Sequence, residues 1–130
     1  EKNFALNGIY PGSHELTRGD CLEWLERSKS QYDLILVDPP TFSNTVKKNR
    51  LFEVQRDHRR LIEAAMSRLS RGGVLLFSNN YRSFRLDSGL LERFDGVDLT
   101  SATVPPDFKN RPPVHRCWEF RHRPSTVESL

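Results

Sequence analysis

The chain has 130 residues, 36% of them hydrophobic and 28% charged, a net charge of +3 and a pI near 9.1. These values suit one soluble globular domain rather than two. No stretch approaches the roughly 18 apolar residues that span a bilayer. No charged-then-apolar leader opens the chain, so a cytoplasmic protein with no membrane partner is expected. Two cysteines, Cys21 and Cys117, are too few for a disulfide framework or a zinc site and read as reduced thiols.

In chain order, Asn3 to Asn7 reads as the end of a helix capped by Gly8, and Tyr10 to Ser13 as a turn. His14 to Arg18 alternates enough for a short strand. Asp20 stands at an N-cap position before a short helix over Cys21 to Leu25, with Glu23 three residues on. Ser28 to Gln31 is a polar connection. Leu34 to Val37 is a continuous apolar run, which predicts a central parallel strand buried on both faces. Pro39 and Pro40 end it because neither can donate to a sheet ladder, and a long polar loop follows from Thr41 to Leu51.

The next helix is predicted over Glu53 to Ser70, with Val54, His58, Leu61, Ile62, Ala65 and Leu69 on its apolar face. Gly72 and Gly73 should terminate that unit before a second apolar strand, Val74 to Phe77, which runs into Ser78-Asn79-Asn80. A helix over Ser88 to Phe94, a strand over Val97 to Thr103, a proline-rich loop from Pro105 to Pro113 and a last strand over Val114 to Phe120 complete the chain. Residues 1–123 should form the domain and 124–130 a disordered tail. The alternation of strand and helix predicts an α/β fold with a mostly parallel sheet and an antiparallel last strand.

In such sheets ligands bind beyond the carboxyl ends of the strands. Three polar clusters fall there: Gly19-Asp20-Cys21, Asp38 to Phe42, and Ser78-Asn79-Asn80. Asp38 offers an acidic group at a strand end, Pro39 and Pro40 stiffen the turn, and Phe42 can stack on a flat base, a contact worth about 1–3 kcal/mol. Asp20 can cap its helix, accept a hydrogen bond from a ligand amine, or do both. Cys21 reads as a small packing residue rather than a nucleophile. Asn79 reads equally as a turn residue and as an amide that orients a base edge beside Asp38. The four histidines show no metal spacing, and His58 falls on the apolar helix face. Basic residues cluster at Lys47, Lys48, Arg50, Arg56, Arg59 and Arg60, at Arg82 and Arg85, and toward the end of the chain. Such clusters suit a polyanion.

Leu34-Ile35-Leu36-Val37-Asp38-Pro39-Pro40-Thr41-Phe42-Ser43-Asn44 resembles the fourth motif of class I S-adenosylmethionine-dependent methyltransferases. Together with Asn3 to Gly8, Gly19 to Leu25, Val54 to His58, Phe77 to Asn80, Arg82, Phe84, Asp107-Phe108 and His115 to Trp118, the match narrows. It is similar to the C-terminal half of the bifunctional bacterial enzymes that methylate guanines of 23S ribosomal RNA. The resemblance implies the C-terminal part of a Rossmann-like sheet. It assigns Asp20, Cys21 and Asp38 to S-adenosylmethionine, and Asp38, Pro39, Pro40 and Phe42 to the reacting base. It places the segment from Thr41 to Arg60 beside the RNA; with the basic clusters and the strand-end amide, the residues expected to contact RNA are Lys47, Lys48, Arg50, Arg56, Asn79, Arg82 and Arg85. Guanine N7 is the foremost target, with an exocyclic amine (N2) or a non-catalytic RNA-binding role as alternatives. A relative that methylates cytosine C5 carries a cysteine nucleophile where this chain reads Ser78-Asn79-Asn80, which argues against that reaction. The family's Gly-rich first motif and the acidic ribose-binding residue have no counterpart here. Together with Glu1 as first residue and Met66 as sole methionine, this suggests a piece of a longer protein, with the missing N-terminal part completing the site.

Overall fold

A computed structural model describes residues 1–43, 51–109 and 111–126. The elements are α1 (Lys2–Leu6), α2 (Cys21–Arg27), β1 (Tyr32–Val37), β2 (Phe42–Ser43), β3 (Phe52–Glu53), α3 (Val54–Met66), β4 (Leu69–Asn79), α4 (Ser88–Arg93), β5 (Asp95–Asp98), α5 (Thr100–Thr103) and β6 (Arg116–Arg121). Four strands form one sheet in the order β1-β4-β6-β5, and β2 and β3 form a small hairpin. β1 pairs with β4 in parallel, whereas β6 is antiparallel to both β4 and β5. Three strands therefore run one way and the last runs against them, as the alternation of elements predicts.

The core lies on one face of this sheet. α3 buries Val54, His58, Leu61, Ile62, Ala65 and Met66. Its partners are Leu75 and Phe77 of β4 and Trp118 and Phe120 of β6, with Ile35 and Val37 of β1 packed alongside. His58 is tied in by hydrogen bonds as well as packing. Its Nδ1–H donates to the Val54 and Gln55 carbonyls, both at 2.9 Å. Its Nε2 accepts from the Asp87 amide at 2.9 Å. Gln55 adds a two-way tie to the backbone of Arg85, donating at 2.8 Å and accepting at 2.9 Å. The loop after β4 is thus moored to α3 by two side chains one helical turn apart.

The opposite face is largely open. Leu34 and Leu36 stand 65% and 69% exposed, and Val97 of β5 is 55% exposed on the same side. Among the described residues the cover there lies at the β6 end, where α5 closes over Cys117 through the Thr100 hydroxyl, which accepts from the Cys117 amide at 3.1 Å. The prediction that β1 is buried on both faces is therefore corrected: β1 is an edge strand, and only Ile35 and Val37 point into the core.

Other boundaries shift for physical reasons. Residues 14–18 are not a strand, because no described segment pairs with them. The α3 helix ends at Met66, and Leu69 and Ser70 already belong to β4. Leu69 keeps its place in the core from the strand side. Gly72 and Gly73 lie inside β4 rather than ending a unit. A Cβ on Gly73 would sit 2.8 Å from Leu69 Cδ1 and 2.9 Å from the Asp33 carbonyl oxygen, so the close approach of β1 demands glycine. The segment expected as a strand over Val97 to Thr103 divides into the end of β5 and the short α5. Gly8, at φ 66°, follows α1 as its expected stop.

Candidate active site

Asp38 follows the last residue of β1, and Ser78 occupies the matching place on β4. The pairing of Val37 with Phe77 brings the two next to each other, both on the open face. The Ser78 hydroxyl donates to Asp38 Oδ1 at 2.8 Å. Asp38 is exposed and has no other hydrogen bond among the described residues. Pro39 is half-buried, Pro40 is exposed, and Phe42 is 63% exposed at the start of the β2–β3 hairpin. The Thr41 carbonyl accepts from the Val54 amide at 3.0 Å, which fixes the hairpin to the start of α3. An acidic group, a proline turn and an exposed aromatic ring therefore follow one another in a short run from the end of β1.

Cys117 continues this row across the sheet, since Ser78 pairs with Cys117 on β6. Burial pushes the Cys117 thiol up, and the negative charges of Asp98 and Asp38 push the same way against a hydrogen bond with Thr103. That thiol is a poor nucleophile.

Asp20 is the N-cap of α2: its Oδ1 accepts from the Glu23 amide at 2.8 Å. The second carboxylate oxygen has no partner among the described residues, so the cap leaves a free acceptor. Cys21 is exposed, not packed, because it lies on the outer side of the first turn. A cavity of about 470 Å³ opens beside Asp20, lined by Thr17, Arg18, Trp24 and Tyr32 among others, and Asp38 is not part of it. The structure does not bring the two acidic residues into one pocket.

The basic residues divide in the same way. Lys47, Lys48 and Arg50 lie outside the described residues. Arg82 and Arg85 are exposed and carry no ion pair among the described residues. Arg56 is committed elsewhere: its guanidinium meets both oxygens of Asp57, at 3.0 and 2.7 Å, and bonds the Leu51 carbonyl. The Asp57 hydrogen bond raises its pKa above the ordinary arginine value, with the charges of Asp57 and Glu53 adding to it.

Of the two roles open to Asn79, the structure shows the turn role and not the base-orienting one. Strand alternation turns it to the core face, away from Asp38, where it is fully buried. Its Oδ1 accepts from the Tyr81 amide at 3.0 Å, the turn role foreseen for it, and no surface remains for RNA. Ser78, named in the third polar cluster but given no role there, is the residue that meets Asp38. Its signal was the parallel register, which makes it rather than Asn79 the neighbour of Asp38.

No family model matches the chain. It is 54% identical over 121 residues to a ribosomal RNA large subunit methyltransferase K/L of Chromohalobacter salexigens, covering 93% of this chain and 16% of that protein. It is 50% identical over 123 residues to the protein of the same name from Desulfotalea psychrophila, covering 95% of this chain and 17% of that one. The chain is a homologue of one segment of the K/L methyltransferases. It spans only about a sixth of the length of these K/L relatives. A crystal structure of SMU.776, a candidate methyltransferase complexed with SAH, superposes with a TM-score of 0.70 at 21% identity, over 92% of this chain and 34% of that one. The sheet thus has a methyltransferase fold. Among the described residues, no helix is long and apolar enough to cross a membrane, and no group of three or more His, Cys, Asp or Glu could hold a metal ion.

Proposed function

We propose that this chain is the C-terminal part of the catalytic domain of an S-adenosylmethionine-dependent methyltransferase that modifies a guanine of 23S ribosomal RNA, at N7. The observation that carries this reading is the Asp38 carboxylate, exposed at the end of β1, held by Ser78, and followed by two prolines and the open ring of Phe42. The names of the K/L relatives support the substrate class.

The cofactor fits in part. Asp20 keeps one oxygen free for an adenine amine beside its cap, and Asp38 can border the sulfonium end. Nothing in the sequence matches the Gly-rich loop that would hold the methionine end, so a further stretch of polypeptide completes the pocket. The open face of Leu34, Leu36 and Val97 and the free edge of β1 give that stretch a surface to cover. When bound, the cofactor supplies an electrophilic methyl group. Guanine N7 presents a lone pair without a proton, so this chain need provide neither a strong base nor a covalent nucleophile. Phe42 stacks on the base, Pro39 and Pro40 keep the turn from yielding, and Asp38 fixes the approach angle. Together they exclude water and align the transfer. Arg82 and Arg85 hold backbone phosphate, with Lys47, Lys48 and Arg50 assigned to the same strand of RNA on sequence alone.

The separation of Asp20 from Asp38 favours one second reading, an RNA-binding module without transfer of its own. Labelled methyl transfer to large-subunit RNA by the full-length polypeptide separates the two. The catalytic reading expects Asp38→Asn to lower the rate by about 100-fold, whereas the second reading expects RNA retention with no transfer even from the unmodified protein. Calorimetry on residues 1–130 should show no binding of S-adenosylmethionine; micromolar binding would mean that this chain completes the pocket alone.

A further inference from the structure

An aspartate at a strand end ordinarily satisfies one carboxylate oxygen locally, by accepting from the amide two residues on. Asn79 does this on the neighbouring strand, accepting from Tyr81. Asp38 cannot. The next two residues are Pro39 and Pro40, and neither has an N–H to give. Left to its own strand, this exposed side chain would rotate among its rotamers, with each productive orientation diluted by the others.

The donor comes instead from across the sheet. Parallel pairing of Val37 with Phe77 sets residues 38 and 78 side by side, and strand alternation turns both toward the open face. The Ser78 hydroxyl reaches Asp38 Oδ1 at 2.8 Å. Ser78 is half-buried, and β4 is held on both sides, by β1 and β6, so the donor stands on an interior strand of the sheet. We propose that Ser78 is a positioning residue for the transfer reaction: its hydroxyl takes one oxygen of Asp38 so that the other is presented in a single orientation to the ligand. This rests on the reading of Asp38 given above. It gives the two prolines a second consequence. They stiffen the turn, and by withdrawing the local donors they make the carboxylate dependent on β4.

The test uses the full-length polypeptide, with methyl transfer to large-subunit RNA as the readout. Ser78→Ala should lower kcat by about 10- to 100-fold, with KM for RNA and for S-adenosylmethionine changed by less than about twofold. Ser78→Thr, which keeps the hydroxyl, should restore most of the rate. In an Asp38→Asn background Ser78→Ala should cost little more, because the two residues act as a unit. Urea denaturation of each variant reports on folding, and the threonine variant decides the matter if alanine weakens the sheet. Equal losses for Ala and Thr, additive losses with Asp38→Asn, or an unchanged kcat for Ser78→Ala beside a disabled Asp38→Asn would each overturn the role of Ser78 while leaving the methyl-transfer reading intact. Absence of transfer by the unmodified protein would instead defeat that reading itself.

Discussion

The two faces of the four-stranded sheet are built from similar residues and have different fates. On one face Phe77, Leu75 and Phe120 are wholly buried; on the other Leu34 and Leu36 stand more than 60% exposed. Both faces of β1 are apolar, so composition alone does not distinguish them. What differs is that α3 lies over one face and, apart from α5 at the β6 end, nothing described lies over the other. Fully burying a leucine is worth about 1.5–3 kcal/mol. The open face therefore holds a large favourable free energy that this chain does not use. The covered face must supply nearly all the stability, and the open face is available for assembly.

The sharpest way to break that comparison is to truncate on the covered face. Phe77→Ala should cost about 3–5 kcal/mol in urea denaturation; a loss below about 1 kcal/mol would mean that the core lies elsewhere. Gly73→Ala should cost about 1–3 kcal/mol, because the new methyl meets the Asp33 backbone, which cannot move aside as a flexible side chain could. On the open face, Leu36→Ser should change the stability of residues 1–130 by less than about 0.5 kcal/mol. It should also reduce binding of an apolar dye. A cost above about 2 kcal/mol would show that something already covers β1. The smallest signal comes from the thiols. Cys21 is exposed, whereas Cys117 is buried under α5 with its thiol pushed up. Alkylation at pH 8 should be at least ~10-fold faster at Cys21, and Cys117 should gain rate as pH climbs further, because its thiolate forms later.

What was legible in the sequence follows the range of the interaction involved. Helices α2 and α3 announce themselves through a cap and a period, which are local, and both stand close to where the pattern puts them. Gly8 stops α1 for an equally local reason. His14 to Arg18 and the burial of β1 depend on neighbours far along the chain or beyond it, and there the pattern misleads. The placement of Leu69 shows the same limit: it continues the α3 period in sequence, yet reaches the same core from a strand. At the candidate site, Asp38, its prolines and Phe42 stand out in the sequence because an acidic group and a turn coincide in one short run. Ser78 was hidden behind Asn79 because one step of strand register decides which of two adjacent polar residues meets Asp38, and register is a property of pairing.

Asp20 carries a consequence of a different kind. One of its oxygens closes the first turn of α2 and the other has no partner among the described residues. Under the proposed function, helix order and adenine recognition then share a single carboxylate and are thermodynamically linked. A ligand that uses the free oxygen leaves the cap in place and helps hold α2 together, while one that draws the carboxylate away frays it. Removing the side chain merges the two effects. Asp20→Ser should keep the cap and surrender the charge, so it separates what the helix needs from what the cofactor needs.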